Sequence, residues 1–132
     1  MKEAPVFENA LVRIEIEPAE IPWLKIFATA PCKEFSECSP ETRAEIFELL
    51  DLIEREMLDY FQPDKINIAS FANYLPRVHW HIMARFACDS HFPEPVWGRK
   101  QRKAGLDLPP MDRFVERLRE KLSRRQSALA RD

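Results

Sequence analysis

The stretch KINIASFANYLPRVHWHIMARF, residues 65–86, decides the fold of this 132-residue chain. Its two ends, Lys65–Phe71 and Arg77–Phe86, are rich in β-branched and aromatic residues, which is typical of strands. The linker between them, Ala72–Pro76, is too short for the crossover that parallel strands need. The stretch therefore predicts an antiparallel pair of strands at the centre of a sheet.

Side chains of the second strand alternate between two faces. One face carries Arg77, His79, His81, Met83 and Arg85. The opposite face carries Val78, Trp80, Ile82, Ala84 and Phe86. A row of cationic groups repels itself unless an anion lies over it. The alternation therefore predicts a phosphate site on the first face and core packing on the second.

The spacing of the two histidines suits phosphoryl chemistry. Side chains at positions i and i+2 of a strand lie roughly 6 to 7 Å apart, which is within reach of one tetrahedral phosphoryl group. A neutral imidazole is a nucleophile near neutral pH, and a covalent phosphoramidate divides one difficult displacement into two steps. We therefore expect His79 to attack, while His81 and Arg77 stabilise the nonbridging oxygens.

The remaining elements complete an α+β pattern. Leu11–Glu17 alternates like a half-buried strand, and Trp23–Thr29 is a strand bracketed by prolines. Ser39 followed by Pro40 predicts the start of an amphipathic helix that runs to about Phe61. A second amphipathic helix is expected at about 110–125, fraying toward the C-terminus. We predict an antiparallel sheet of about five strands with one long helix and a C-terminal helix.

Composition favours one globular domain over residues 1–132, since 45% of residues are apolar and 32% are charged. The longest apolar stretches, such as Leu24–Ala28, are far shorter than a membrane span, and the N-terminal residues lack a signal-peptide pattern. The three cysteines have no metal-ligand spacing and are expected to be reduced thiols. We therefore expect a cytoplasmic protein that does not interact with membranes.

Charge is distributed unevenly along the chain. Residues 1–98 contain nine basic and seventeen acidic residues, whereas residues 99–132 contain eleven basic and five acidic ones. A basic run such as Arg99–Lys103 can contact phosphates, but it is more often a solvated surface. Aromatic residues do not interleave with this run. The pattern therefore gives no support for a nucleic-acid partner.

The central segment resembles the motif of the histidine triad (HIT) family. Residues Arg77–Met83 are similar to the pattern His-φ-His-φ-His-φ-φ, in which φ is apolar, with arginine in place of the first histidine. The preceding Lys65–Pro76 and the downstream Phe92–Gly98 resemble short bacterial members similar to diadenosine tetraphosphate hydrolase. With Pro22 and Trp23, the resemblance covers about residues 7–103 and leaves 110–125 as a helical extension.

The resemblance implies a role for each position of the triad. His79 matches the nucleophilic histidine that becomes nucleotidylated at the α-phosphorus, and His81 matches the third, phosphate-contacting histidine. Arg77 replaces the first histidine, at a position where short bacterial relatives often have glutamine. The implied catalytic residues are therefore His79 and His81, and Arg77 is an implied substrate contact.

Three further substrate contacts are implied by the same resemblance. Asn67 matches a polar residue near the phosphates, and Glu17 lies near the family's ribose-binding position. Trp97 resembles a C-terminal residue that reaches toward the partner subunit's site in dimeric relatives. The resemblance thus implies a homodimer that binds a purine nucleotide and needs no cofactor.

Three functions remain open at this stage. The first is hydrolysis or transfer at the α-phosphorus of a nucleoside phosphate, dinucleoside polyphosphate or phosphoramidate. The second is a nucleotide-binding regulatory dimer without useful turnover, which Arg77 at the first triad position motivates. The third is a zinc-dependent hydrolase, because a His-x-His strand can bind zinc, but a third ligand such as Asp89 or His91 would have to join it. We favour the first function and expect no metal site.

Overall fold

Five antiparallel strands form one sheet in the computed structural model, which describes residues 4–130. The elements in chain order are β1 (Phe7–Glu8), β2 (Val12–Ile16), β3 (Trp23–Ala28), a 3₁₀ turn (Phe35–Glu37), α1 (Pro40–Phe61), β4 (Lys65–Ala69), β5 (His79–Arg85) and α2 (Met111–Ala130). The order across the sheet is β1-β2-β3-β5-β4. The predicted α+β class and the antiparallel sheet of five strands are confirmed.

The central strand pair forms as predicted. β4 and β5 are antiparallel neighbours, with Asn67 opposite Met83 and Ile68 opposite Ile82. β5 begins at His79, two residues later than expected, so Arg77 precedes the strand and the alternation does not extend to it. β1 is only two residues long, which is too short to produce a visible alternation in the sequence.

Helix α1 begins and covers the sheet as its sequence predicts. The Ser39 hydroxyl accepts a hydrogen bond from the Thr42 amide at 3.1 Å, and Pro40 occupies the first turn. The helix ends where Gln62 adopts a left-handed conformation with φ of 54°. Its apolar stripe packs with the sheet residues in one core, which includes Ile14, Leu24, Ile26, Ile46, Leu49, Ile53, Met57 and Ile82. Helix α1 therefore covers one face of the sheet and leaves the opposite face uncovered by this helix.

Helix α2 lies along α1 and extends to Ala130, five residues beyond the expected end. Phe114, Leu118 and Leu122 are buried. Ion pairs join the two helices, including Lys121 to Glu56 at 2.7 Å. The basic C-terminal region therefore complements an acidic helix of the same chain. Within residues 4–130, neither helix is long and apolar enough to cross a membrane.

Candidate functional site

The face of the sheet opposite α1 carries the two histidines beside an aromatic strand. On β3, the buried residues Leu24, Ile26 and Ala28 point toward the core, so Trp23, Lys25 and Phe27 lie on the opposite face. The register places Lys25 opposite His81 and Phe27 opposite His79. A cavity of about 470 Å³ opens over this face. It is lined by Glu17, Lys25, Phe27, Phe71, Ala72, Asn73, Tyr74, Leu75, His79, His81 and Trp97.

The His79 ring is held by its backbone and by one aromatic neighbour. Its Nδ1 lies 2.7 Å from the Arg77 carbonyl oxygen, and its ring stacks on Phe27 with centroids 4.9 Å apart. A carbonyl oxygen only accepts hydrogen bonds, so Nδ1 carries the proton. In the neutral ring the lone pair therefore lies on Nε2, which is the form that a nucleophile requires.

The His81 ring lies 5.1 Å from the His79 ring, centroid to centroid. Its Nδ1 is 3.0 Å from the indole Nε1 of Trp23. Burial, the neighbouring His79 and the ammonium of Lys25 lower the pKa of His81 from 6.5 to about 4, while Glu17 acts in the opposite direction. His81 is therefore neutral at pH 7.

The Arg77 guanidinium is directed away from the cavity lining. Its Nη2 donates to the carbonyl of Thr29 at 2.6 Å and to that of Ala28 at 3.3 Å. These carbonyls lie at the end of β3, whose last residue is Ala28. The expected position of Arg77 on the histidine face is thus corrected, because β5 starts only at His79.

Asn67 and Arg85 form a second polar cluster at the other end of the same face. Arg85 Nη1 donates to Asn67 Oδ1 at 2.8 Å, and its Nε and Nη2 donate to Asp89 at 3.0 and 3.1 Å. Burial alone would raise the pKa of Asp89, but hydrogen bonds from Arg85 and from backbone amides lower it to about 2. Asn67 thus lies on the expected strand, where it supports Arg85 and is outside the cavity lining.

Glu17 and Trp97 both line the cavity of their own chain. The Glu17 carboxylate is 3.3 Å from the Lys25 ammonium. The Trp97 ring contacts His81 and Phe71, with centroids 5.0 and 4.9 Å apart. Trp97 is therefore placed beside the histidines of its own chain.

Sequence reasoning missed Lys25, Phe27 and the Phe71–Leu75 loop as parts of the cavity. The signal for Lys25 and Phe27 is the strict alternation of β3, which assigns them to the face opposite the core. The pairing of β3 with β5, which brings them to the histidines, joins residues more than fifty positions apart. The loop residues belong to the stretch that resembles short bacterial family members, but that resemblance implied no contact with substrate for them.

Other candidate sites carry no comparable chemistry. Within residues 4–130, no cluster of three His, Cys, Asp or Glu side chains is arranged to hold a metal ion. The three cysteines are free thiols. A larger groove of about 680 Å³ lies against α1 and α2, but ion-paired residues such as Arg125 and Glu56 line it. The histidine cavity is thus the candidate active site.

Comparison with known proteins agrees with this geometry. A family model described as the HIT domain matches residues 6–88, which is more than half of the chain. No curated protein matches. A histidine triad protein from Sinorhizobium meliloti 1021 has a similar structure, with a TM-score of 0.71 and 25% identity over 89% of this chain and 87% of that one.

Two other solved structures show the same fold. A histidine triad protein from Bradyrhizobium japonicum has a TM-score of 0.69 and 24% identity, covering 91% of this chain and 87% of that one. One from Marinobacter aquaeolei VT8 has a TM-score of 0.67 and 23% identity, covering 89% and 84%. With the His-x-His strand, the cavity above it and the family match, the chain belongs to the HIT domain family.

Proposed function

We propose that this chain is a nucleotide hydrolase or transferase that acts at the α-phosphorus through a nucleotidyl-histidine intermediate. The observation that carries the proposal is the hydrogen bond from His79 Nδ1 to the Arg77 carbonyl, which leaves the lone pair of the neutral ring on Nε2. His79 lines a cavity of about 470 Å³, a volume within the usual range for small-molecule sites. Membership of the HIT family supports the same chemistry.

The reaction proceeds by two displacements at phosphorus. His79 Nε2 attacks the α-phosphorus, the phosphorus–nitrogen bond forms, and the bond to the leaving group breaks with its electron pair. Water then attacks the same phosphorus, the bond to Nε2 breaks, and a nucleoside monophosphate is released. His81 and Lys25 lie where they would stabilise the nonbridging oxygens, because both line the cavity and face one another across β5 and β3.

We further propose a purine nucleotide as the substrate and a homodimer as the active assembly. Three aromatic side chains at the cavity, Phe71, Tyr74 and Trp97, are about half exposed or more and offer flat surfaces on which a base can stack. A dinucleoside polyphosphate and a nucleoside phosphoramidate are the substrate classes to examine first. Sedimentation equilibrium tests the dimer independently of activity.

The proposed activity is tested with diadenosine tetraphosphate, adenosine 5′-phosphoramidate, ADP and ATP. We expect release of AMP from at least one of them by the wild type, and none above background by His79→Ala. His91→Ala is the matched control, because His91 bonds to Ser90 in a loop and does not line the cavity. Reversible binding of all four compounds without AMP release would contradict the enzymatic proposal and favour a nucleotide-binding regulator.

A further inference from the structure

Trp23 makes a hydrogen bond to His81, and neither the His-x-His motif nor the proposed reaction accounts for this bond. Its indole Nε1 lies 3.0 Å from Nδ1 of His81, and the two rings meet edge-on with centroids 5.6 Å apart. The indole nitrogen can only donate, so Nδ1 of His81 must accept. A neutral imidazole that accepts at Nδ1 carries its proton on Nε2.

The two histidines are thus held in opposite tautomers. His79 has its proton on Nδ1, because that atom donates to the Arg77 carbonyl. Its Nε2 therefore has a lone pair, whereas Nε2 of His81 has a hydrogen. Two imidazoles of identical chemistry are assigned different tasks by the partners of their Nδ1 atoms: one is a nucleophile and the other is a donor toward phosphoryl oxygens.

Protonation of His81 would break this arrangement. An imidazolium has hydrogens on both nitrogens, so Nδ1–H would face the indole N–H and the hydrogen bond would be lost. Three titratable groups also face His81: His79 on its own strand, Lys25 on β3 and Glu17 after β2. Lys25 opposes the cation, and the Glu17 carboxylate that would favour it is already paired with Lys25. Burial, His79 and Lys25 together lower the pKa of His81 to about 4, so these surroundings already favour the neutral ring.

We propose that Trp23 is a positioning residue of this site: its indole N–H occupies Nδ1 of His81, opposes protonation of that atom and fixes the proton of the neutral ring on Nε2. The use of this proton in catalysis rests on the proposed function, whereas the tautomer itself does not. Trp97 provides the comparison within the same site. Its ring also meets His81 edge-on, with centroids 5.0 Å apart, and it makes no hydrogen bond to that histidine.

The test uses protein labelled with ¹⁵N at histidine and follows both ring nitrogens of His81 by NMR as the pH is lowered. In the wild type we expect the signals of an Nε2–H tautomer that persists below pH 6. Trp23→Phe keeps an aromatic ring but removes the donor. In this variant we expect a mixture of tautomers and a His81 titration midpoint higher by about one pH unit, the equivalent of one hydrogen bond. Trp97→Phe should leave the His81 tautomer as in the wild type.

The possible results distinguish a failure of the role of Trp23 from a failure of the proposed function. Wild-type His81 with its proton on Nδ1 would overturn the role of Trp23 without any variant, so the test does not depend on the folding of Trp23→Phe. An unchanged tautomer and midpoint in folded Trp23→Phe would overturn it as well. If His81 has the expected tautomer but no nucleotide is turned over, the role of Trp23 is supported and the proposed function fails. In an active enzyme, Trp23→Phe should also shift the acidic limb of the kcat/KM profile to higher pH, which loss of packing alone would not do.

Discussion

The polar side chains in the two halves of strand β5 have different surroundings, although they lie on the same face of the sheet. In the first half, His79 and His81 each use Nδ1 for a hydrogen bond within the protein and both line the cavity. In the second half, Arg85 is 1% exposed and donates to Asp89, to Asn67 and to the Glu94 carbonyl. In the first half, Nε2 of each histidine remains available to a substrate. In the second half, the guanidinium donors of Arg85 are engaged in hydrogen bonds within the protein.

This difference shows that a polar face of a strand is no evidence of function by itself. Asp89 accepts from Arg85 and from the amides of Phe86, His91 and Phe92, so one buried carboxylate fixes the loop after β5. That loop leads to Trp97, which contacts His81. We therefore expect changes in the first half to remove activity and changes in the second half to reduce stability.

The largest expected effect is that of His79→Ala on turnover. Loss of a nucleophile should lower kcat/KM by about 10⁴-fold or more, as for other enzymes that form covalent intermediates. The fold should persist, because the His79 side chain lines the cavity and is not part of the hydrophobic core. Steady-state kinetics and circular dichroism of His79→Ala and His91→Ala measure the two quantities. Activity within tenfold of the wild type in folded His79→Ala would remove His79 from the mechanism.

Asp89→Ala should lower the stability of the fold, in contrast to His79→Ala, which should lower turnover. Removal of one partner of a buried ion pair leaves the other charge unpaired, which costs about 3–5 kcal/mol of unfolding free energy. Asp51→Ala is the control, because the Asp51–Arg55 pair is exposed and should contribute less than about 1 kcal/mol. Urea denaturation at pH 7 compares the variants. Equal midpoints for Asp89→Ala and Asp51→Ala would show that the second half of β5 is not a structural centre.

His81→Ala should have an intermediate effect on activity. If His81 is one donor among several to the phosphoryl oxygens, its loss should lower kcat by about 10²- to 10³-fold. The nucleotidyl intermediate should still form, because His79 Nε2 keeps its lone pair. Single-turnover kinetics separate formation of the intermediate from its hydrolysis. Wild-type rates for both steps would exclude a catalytic role for His81.

The pH dependence of stability should change slightly in the same variant. Because the pKa of His81 is about 4 in the folded chain and 6.5 in the reference state, the unfolded chain binds more protons between these values. The free energy of unfolding of the wild type should therefore fall as the pH is lowered from 6.5 to 4, and less so in His81→Ala. Urea titrations at several pH values measure both slopes. Parallel slopes would mean that His81 is not held neutral.

Metal chelation should have no effect on the chemistry at His79. The proposed attack is made by the protein nitrogen, and a divalent ion would act only through the substrate's phosphates. Dialysis against a chelator, followed by elemental analysis and assay, should leave covalent labelling unchanged. Loss of labelling that zinc restores would favour the zinc-dependent alternative.

The sequence predicted the elements well because their signals are local. The cap at Ser39, the proline that follows it and the apolar stripe predicted a helix to about Phe61, and α1 spans Pro40–Phe61. The alternation in β5 placed His79 and His81 on one face and Trp80 on the other, where Trp80 packs against Phe35 and Phe47. Strand ends were less predictable. The residues around Arg77 are compatible with a strand, but β5 begins only at His79, so Arg77 lies outside the hydrogen-bonded ladder.

The partners of the site residues could not be predicted, because they depend on contacts distant in sequence. Trp23 is 58 residues from His81, and Arg77 is 48 residues from the Thr29 carbonyl that it contacts. No spacing rule connects such pairs before the sheet order is known. The sequence therefore identified which histidines to examine, and the structure identified which nitrogen of each ring is available.

The most direct test of the central claim is detection of the covalent intermediate on His79. Wild-type protein is mixed with a nucleotide substrate, quenched within a single turnover at alkaline pH and digested, and the peptides are analysed by mass spectrometry. The account predicts a nucleoside monophosphate attached to the peptide that contains His79, seen in wild type and His91→Ala and missing in His79→Ala. Turnover without any adduct on His79, or an adduct on His81 instead, would contradict it.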